Sequence, residues 1–469
     1  MGVRREIAVK KTVKLGFCPI GKFVFSHEDA MRGKGQLEQK LKEWDVTYVG
    51  IDDAVPDGMV RDLEHVGPVV EHLKHEDVDA VFMPHCNFGT EHAVGLIGRD
   101  LDVPVLLWGP RDEAPLHDGT RLRDTLCGLF ASTKVLNKLR VPFSYIENCR
   151  VEEPALRQGV GRFLGAVNAA NALRSGLRIG HIGQRIDFFW TTIVNESELL
   201  DRFRIEVLPL DMVAFIRAVK ARVKNGRSEY GKQVKALRAE CEVEGLDEDE
   251  PLMNILAVRD QTLALVEEHG LDGVAVQDFM SLVDELGAYC FHADGMIAET
   301  CPVGYESDVL GTVSNILLER AALGNGPAFL ADLTTRHPDN DNAVLVWHCG
   351  APPSMRDPTE RVRLGQHWIL PSPLSGMPHF KLKDGPLTVA RFDGERGEYK
   401  LAVGEGHTTD GPKTLNNYLW METANWPDWE RKLMEGPFMH HAGMVYGHYA
   451  DALGEACKYV PGLEPVRLG

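Results

Sequence analysis

The chain reads as an α/β protein in three parts: two doubly wound, Rossmann-like domains followed by a β-rich, barrel-like C-terminal domain. Three observations predict this. Short apolar runs alternate with amphipathic helical stretches over the first third. The alternation restarts near Gly176, and from about Pro327 long helical periodicity gives way to glycine, proline and turn signals. The expected domains are residues 1–175, 176–326 and 327–469, the second carrying the first candidate metal carboxylate. With 469 residues and 44% apolar content, the chain can bury several cores.

In the first part, Val13–Cys18 reads as a strand and Glu28–Trp44 as a helix, because Leu37, Leu41 and Trp44 share one face. Val46–Ile51 is the next strand and Val60–Leu73 the next helix. Val78–Pro84 and Val103–Trp108 are unbroken apolar runs of the kind buried in parallel sheets. Ligands in such folds meet the carboxyl ends of strands. The loops there, HCNFGTEH from His85 and WGPRDE from Trp108, are either ligand loops or ordinary turns.

The second part opens with LRIGHIGQRIDFFW, a strand, a glycine turn and a helix start. GHIGQR lacks the third glycine of a dinucleotide fingerprint and no phosphate-loop spacing occurs, so no nucleotide cofactor is expected. The strand Ile205–Leu208, a charged helical stretch from Met212 to about Glu244, a helix near Leu252–His269 and the strand Gly273–Gln277 follow. Gln277 ends that strand, in place to face a pocket. In the third part Val344–Trp347 is a strand, and Leu387–Phe392 and Tyr399–Val403 flank the turn DGERG. A helix from about Met444 to Cys457 is expected to finish the chain.

A formal charge of −18 argues against nucleic acid or an anionic membrane as partner, since both attract basic surfaces. No apolar run approaches the ~20 residues that span a bilayer. The basic opening, MGVRREIAVKKTVKLGF, lacks the apolar block and cleavage site of a secretory signal. Nine cysteines stand singly, with no CxxC pair. Free thiols in a reducing cytoplasm are the expectation, not a zinc ribbon or a disulfide framework.

Four polar residues sit at element ends. Glu306, in GYESDVLG, lies between a strand and a helical run, where backbone N–H groups hold a carboxylate ionised. Asp332 ends the apolar run Ala328–Leu330, a costly place for an acid that is neither paired nor metal-bound. His348 ends a strand in the same way, beside Cys349, and His441 precedes the terminal helix. Two carboxylates and an imidazole make a hard oxygen/nitrogen site for Mn²⁺ or Mg²⁺. Each residue alone is equally a cap, a turn residue or a satisfied histidine, and spacing does not show that they converge.

The ordered segments YESDVLGTVSNILL, FLADLTT, VWHCG, GPLTVARFDGERGEYKLAVGEG and HHAGMVYGHYADAL resemble the second half of the L-fucose/L-arabinose isomerase superfamily, closest to its fucose isomerase branch. The resemblance makes Glu306 and Asp332 the two metal-binding acids. It selects His441 over His440 as the third ligand, because His441 stands seven residues before His448. It carries His348 as a fourth ligand or a substrate contact. It implies three-domain subunits in a homo-oligomer, often a hexamer, whose active sites are completed by a neighbouring subunit. It also implies aldose–ketose isomerisation with Mn²⁺ (Mg²⁺ or Co²⁺ as alternatives), through an enediol formed as one acid removes the C2 proton and the other moves protons among the oxygens or returns one to C1.

Fucose, arabinose and, in related short members, 6-sulfonated glucose (sulfoquinovose) are the implied substrates. The opening GFCPIGKFVFSHEDAMRGKG departs from the family's arginine-rich start. Lys22, Arg32, Arg111 and Arg185 are therefore candidates for an anionic sugar end, and Phe88, Phe189, Trp190 and Trp426 for stacking on a sugar or for core packing. A non-catalytic sugar-binding regulator and a metal-dependent oxidoreductase or aldolase remain the alternatives.

Overall fold

A computed structural model describes residues 13–369, 374–436 and 438–469. The first twelve residues of the basic opening, read above for a secretory signal, lie outside them. The chain forms two compact units that divide between Asn171 and Ala172.

The first unit holds β1 (Leu15–Phe17), β2 (Tyr48–Val49), β3 (Ala80–Pro84), β4 (Val105–Trp108) and β5 (Phe143–Tyr145). They form a parallel sheet of order β2-β1-β3-β4-β5. Every residue of β1, β3 and β4 is buried, which is why these strands read as continuous apolar runs. The helix His27–Glu43 starts where Ser26 accepts a hydrogen bond from Asp29 N–H, and it buries Ala30, Leu37 and Leu41. Strand order reverses at β1, so the loops after β1 and β3 open at a switch point.

The second unit starts with β6 (Leu177–Ile182) and β7 (Ile205–Leu210). The stretch from Met212 to Glu244 is not one helix. Gly226 divides it into Met212–Asn225 and Arg227–Glu240, because glycine is the weakest helix former after proline. The short β8 (Glu242–Val243) then leaves the helical layer. β9 (Gly273–Val276) and β10 (Val303–Gly304) complete a four-stranded parallel sheet of order β10-β9-β6-β7.

The rest of the unit supplies β11 (Phe329–Arg336), β12 (Ala343–His348), β13 (Arg363–Gln366), β14 (Ser375–Lys381), β15 (Pro386–Glu395), β16 (Glu398–Thr409), β17 (Asn417–Thr423), β18 (His441–Tyr446) and β19 (Leu463–Leu468). With β8 they make a mixed sheet of order β19-β16-β15-β18-β11-β12-β17-β14-β13-β8. The hairpin β15–β16 turns on Arg396 and Gly397, both at positive φ, a two-residue turn whose twist suits the flanking strands. Gly406–Thr409 of β16 also pairs with Thr423–Trp420 of β17. The ladder therefore runs from β16 through β15, β18, β11, β12 and β17 back to β16.

The expected terminal helix is corrected. Met444–Tyr446 belongs to β18, where partners on both sides, β11 and β15, satisfy its backbone. Only Ala450–Ala456 is α-helical, and the chain ends as β19, parallel to β16. One apolar core runs through this unit, joining Val274, Tyr305, Phe329, Trp347 and Met444. It fixes the turn after β10 against β11, β12 and β18.

Candidate metal and sugar site

Strand register does most of the assembly. Asp332 on β11 lies opposite His441 on β18 and opposite Trp347 on β12. Cross-strand partners send side chains to one face of a sheet, so sequence-distant residues become neighbours. His348 follows Trp347 at the end of β12. Glu306 arrives from the turn Tyr305–Ser307 after β10, with φ of 56° at Glu306 and 62° at Ser307. Two successive non-glycine residues in the left-handed region store strain that the surroundings must hold. The Glu306 N–H donates to Oδ2 of fully buried Asp278 at 2.8 Å. Below the turn, the Tyr305 ring stacks on His348 at 4.8 Å between centroids.

His441 Nε2 lies 3.4 Å from Glu306 Oε2 and 3.4 Å from Asp332 Oδ1, and His348 Nε2 is 4.0 Å from Glu306 Oε1. On its other side His441 Nδ1 is 3.0 Å from Asp308 Oδ2. Ionised Asp308 can only accept, so Nδ1 carries the hydrogen and Nε2 faces the two acids. Asp308 also caps the helix Val309–Ala321, accepting from Gly311 N–H, and forms a fully buried ion pair with Arg391. Burial opposes its ionisation, but Arg391 and then His441 outweigh it and hold the Asp308 carboxyl well below the usual range. Burial likewise opposes the charged forms of Glu306 and His441. The approach of His441 lowers Glu306, while Asp308 and Glu306 push His441 up to about 10.

The cluster is therefore built around a positive charge. Asp332 Oδ1 and His441 Nε2 are buried without a hydrogen-bond partner. Donor atoms of Glu306, His348 and His441 lie within 4.8 Å of one another, as do those of Asp332, His440 and His441. Oxygen and imidazole donors in this arrangement fit a divalent cation of the Mn²⁺, Mg²⁺ or Co²⁺ kind.

Glu306, Asp332, His348 and His440 line a cavity of about 480 Å³ together with Phe188, Phe189, Phe279, Tyr289, Trp347 and His367. That volume and mixed aromatic and polar lining suit a small ligand. Several expected contacts lie elsewhere. Trp190 is 75% exposed and faces a separate cavity with Asp393 and Met434, because the Phe188–Phe189 pair occupies the inner side of that loop. Trp426 is core, packed at 6.2 Å on Trp429 along one face of the helix Trp426–Glu435. Arg185 donates to the carbonyls of Ile186, Asp187 and Phe189, so it braces the loop and does not line the cavity. Gln277 is spent on the Gln184 carbonyl, at 2.9 Å.

Phe88 belongs to the first unit, stacked on Phe25 at 5.5 Å with Lys22 Nζ 4.4 Å from its ring centre. No lysine or arginine is among the described residues lining the cavity. Phe189, a stacking candidate from the sequence, does line the cavity, whereas Asp308, Asp278, His367, Phe188, Phe279 and Tyr289 were not singled out there. Only Asp308 carries a local signal, an N-cap position just before VLGTVSN.

The fucose/sulfoquinovose isomerase N-terminal domain matches residues 16–174, and the L-fucose isomerase C-terminal domain matches residues 376–461. The chain belongs to the fucose/sulfoquinovose isomerase family. It is an aldose–ketose isomerase acting on a sugar. A protein of Priestia aryabhattai named sulfoquinovose isomerase is 27% identical over 94% of this chain and 96% of its own length. One of Alkalicoccus urumqiensis with the same name is 26% identical over 80% of this chain and 83% of its own. The match from residue 16 extends a resemblance that motifs alone carry only from about residue 270. A D-allose-bound solute-binding protein of Actinobacillus succinogenes aligns over 58% of this chain and 80% of its own at 14% identity, with a TM-score of 0.17, too low to bear on this fold. Among the described residues no helix is long and apolar enough to cross a membrane.

Proposed function

We propose that this isomerase is metal-dependent, with Glu306, Asp332 and His441 holding Mn²⁺ (or Mg²⁺ or Co²⁺) and His348 as a fourth ligand or a substrate contact. Its proposed substrate is a modified aldohexose, a 6-sulfonated sugar of the sulfoquinovose kind ahead of L-fucose or arabinose. The observation that carries the metal reading is the approach of two carboxylates to one imidazole nitrogen at 3.4 Å on a cavity wall. The substrate reading rests on relatives named for sulfoquinovose that span nearly the whole chain.

When bound, the cation would polarise the sugar carbonyl and stabilise negative charge on the two oxygens of an enediolate. The chain's own groups do the rest. One of Glu306 and Asp332 removes the C2 proton, and the other returns a proton to C1 or moves one between the oxygens. Asp308 keeps His441 in one tautomer and one orientation. Phe279, Tyr289 and Trp347 offer apolar surface to the sugar ring and limit water around the developing charge.

With no lysine or arginine among the described residues lining the cavity, a sulfonate is short of charged donors within this unit. A homo-oligomer, with a hexamer as the family-based expectation, would let a neighbouring subunit supply them, and the proposed setting is the cytoplasm. Turnover of sulfoquinovose, L-fucose, and L- and D-arabinose by metal-stripped and Mn²⁺-loaded protein tests the reading. Metal-dependent ketose formation, fastest on sulfoquinovose, is expected. Equal rates without metal would overturn the metal role. In D₂O, deuterium should enter the carbon that receives hydrogen, whereas full retention of the substrate hydrogen would remove the enediol route.

A further inference from the structure

Beneath the Glu306 turn lies a second pair of acids that the reaction does not use. Asp278 and Asp294 are 0% and 1% exposed and lie against each other. Apart from that contact, Asp278 Oδ1 and both Asp294 oxygens have no hydrogen-bond partner. Asp278 Oδ2 accepts the Glu306 N–H at 2.8 Å. The residues that follow Asp278, Phe279 and Met280, line the cavity, and Met280 is itself at a φ of 58°.

Two acids in an apolar core are a costly way to accept one N–H, since an amide would do so with a smaller desolvation penalty. Glu306 sits at a φ of 56°, and rotating that bond would swing its side chain away from the histidines. We propose that Asp278, backed by Asp294, is a positioning residue for Glu306: it clamps the strained turn through the Glu306 N–H, so that the carboxylate oxygens meet His348 and His441. The same short segment thereby ties the metal-binding acid to the cavity wall formed by Phe279 and Met280. Burial raises both acids, Asp278 above all, which keeps the pair compact without a counter-ion. The inference rests on the reading of Glu306 as a metal ligand.

The test compares Asp278→Ala, Asp278→Asn and Glu306→Gln in the full chain, by Mn²⁺ titration calorimetry on metal-stripped protein, melting temperature, kcat and KM. Asp278→Ala should stay folded and lose about 10-fold or more in Mn²⁺ affinity and in kcat. Asp278→Asn keeps the acceptor and should stay within about threefold of wild type on both measures, a rescue that a merely structural role does not require. Unchanged Mn²⁺ affinity in Asp278→Ala, alongside a loss in Glu306→Gln, overturns the positioning role alone. Wild-type affinity in Glu306→Gln overturns the ligand reading beneath it. Asp278→Val, nearer in volume, replaces the alanine protein if that does not fold. Failure of both to fold would make Asp278 part of the scaffold and overturn the inference.

Discussion

Asp308 serves three groups at once: the Gly311 N–H at a helix start, the His441 ring and the Arg391 guanidinium. Arg391 also holds Asp393 at 2.9 Å, so removing Asp308 leaves a fully buried guanidinium with half its partners. Breaking such a pair costs about 3–5 kcal/mol, and loss of a histidine's outer partner weakens metal binding about 10–100-fold. Asp308→Ala should therefore lower both unfolding stability in urea and Mn²⁺ affinity. Wild-type affinity in a destabilised protein would separate Asp308 from the metal site. For the acids themselves, Glu306→Gln and Asp332→Asn keep shape and remove the proton-accepting charge. Each should remain folded by circular dichroism and lose at least ~100-fold in turnover. A normal rate in either variant would take that residue out of the mechanism.

The loop after β6 shows what an element does that its residues, read singly, do not reveal. Arg185 folds back onto three carbonyls and presents Phe188 and Phe189 to the cavity. Arg185→Ala should raise KM for sulfonated and unsulfonated sugars alike, with Mn²⁺ affinity unchanged. A loss confined to sulfoquinovose would instead make Arg185 a direct sulfonate contact. Periodicity predicted the strand and the glycine turn here, but a loop has no period to say which of Phe188, Phe189 and Trp190 turns inward. Trp426 was open between stacking and core because the part was read as β-rich, and its core role shows only once the helix Trp426–Glu435 puts it on one face with Trp429. Asp332 and His348 were legible as polar residues ending apolar runs, and His441 through the resemblance and its spacing to His448. Their meeting was not, because it depends on the register of β11, β12 and β18, which only the assembled sheet fixes. The terminal helix was misread for the same reason: Met444–Tyr446 is a strand because two partners await it.

Over the whole molecule 69 acidic residues face 51 basic ones, so the field around the chain favours cations before any contact is made. For the proposed cation, that preference becomes a competition with a proton inside the site. Asp308 and Glu306 overcome burial and raise His441 from 6.5 to about 10. Between those values the folded, metal-free protein binds a proton that the unfolded chain does not. Its stabilising contribution is complete below pH 6.5 and is lost as pH rises through about 10. A metal on Nε2 must expel that proton, so Mn²⁺ affinity should strengthen about tenfold per pH unit between pH 7 and pH 9 as this group's share. Calorimetry at pH 8 in two buffers of different ionisation enthalpy should report close to one proton released per Mn²⁺, and His441→Ala should abolish the release. Binding without proton release would mean that His441 Nε2 is not the metal's ligand, and the site would have to be redrawn around the carboxylates and His348.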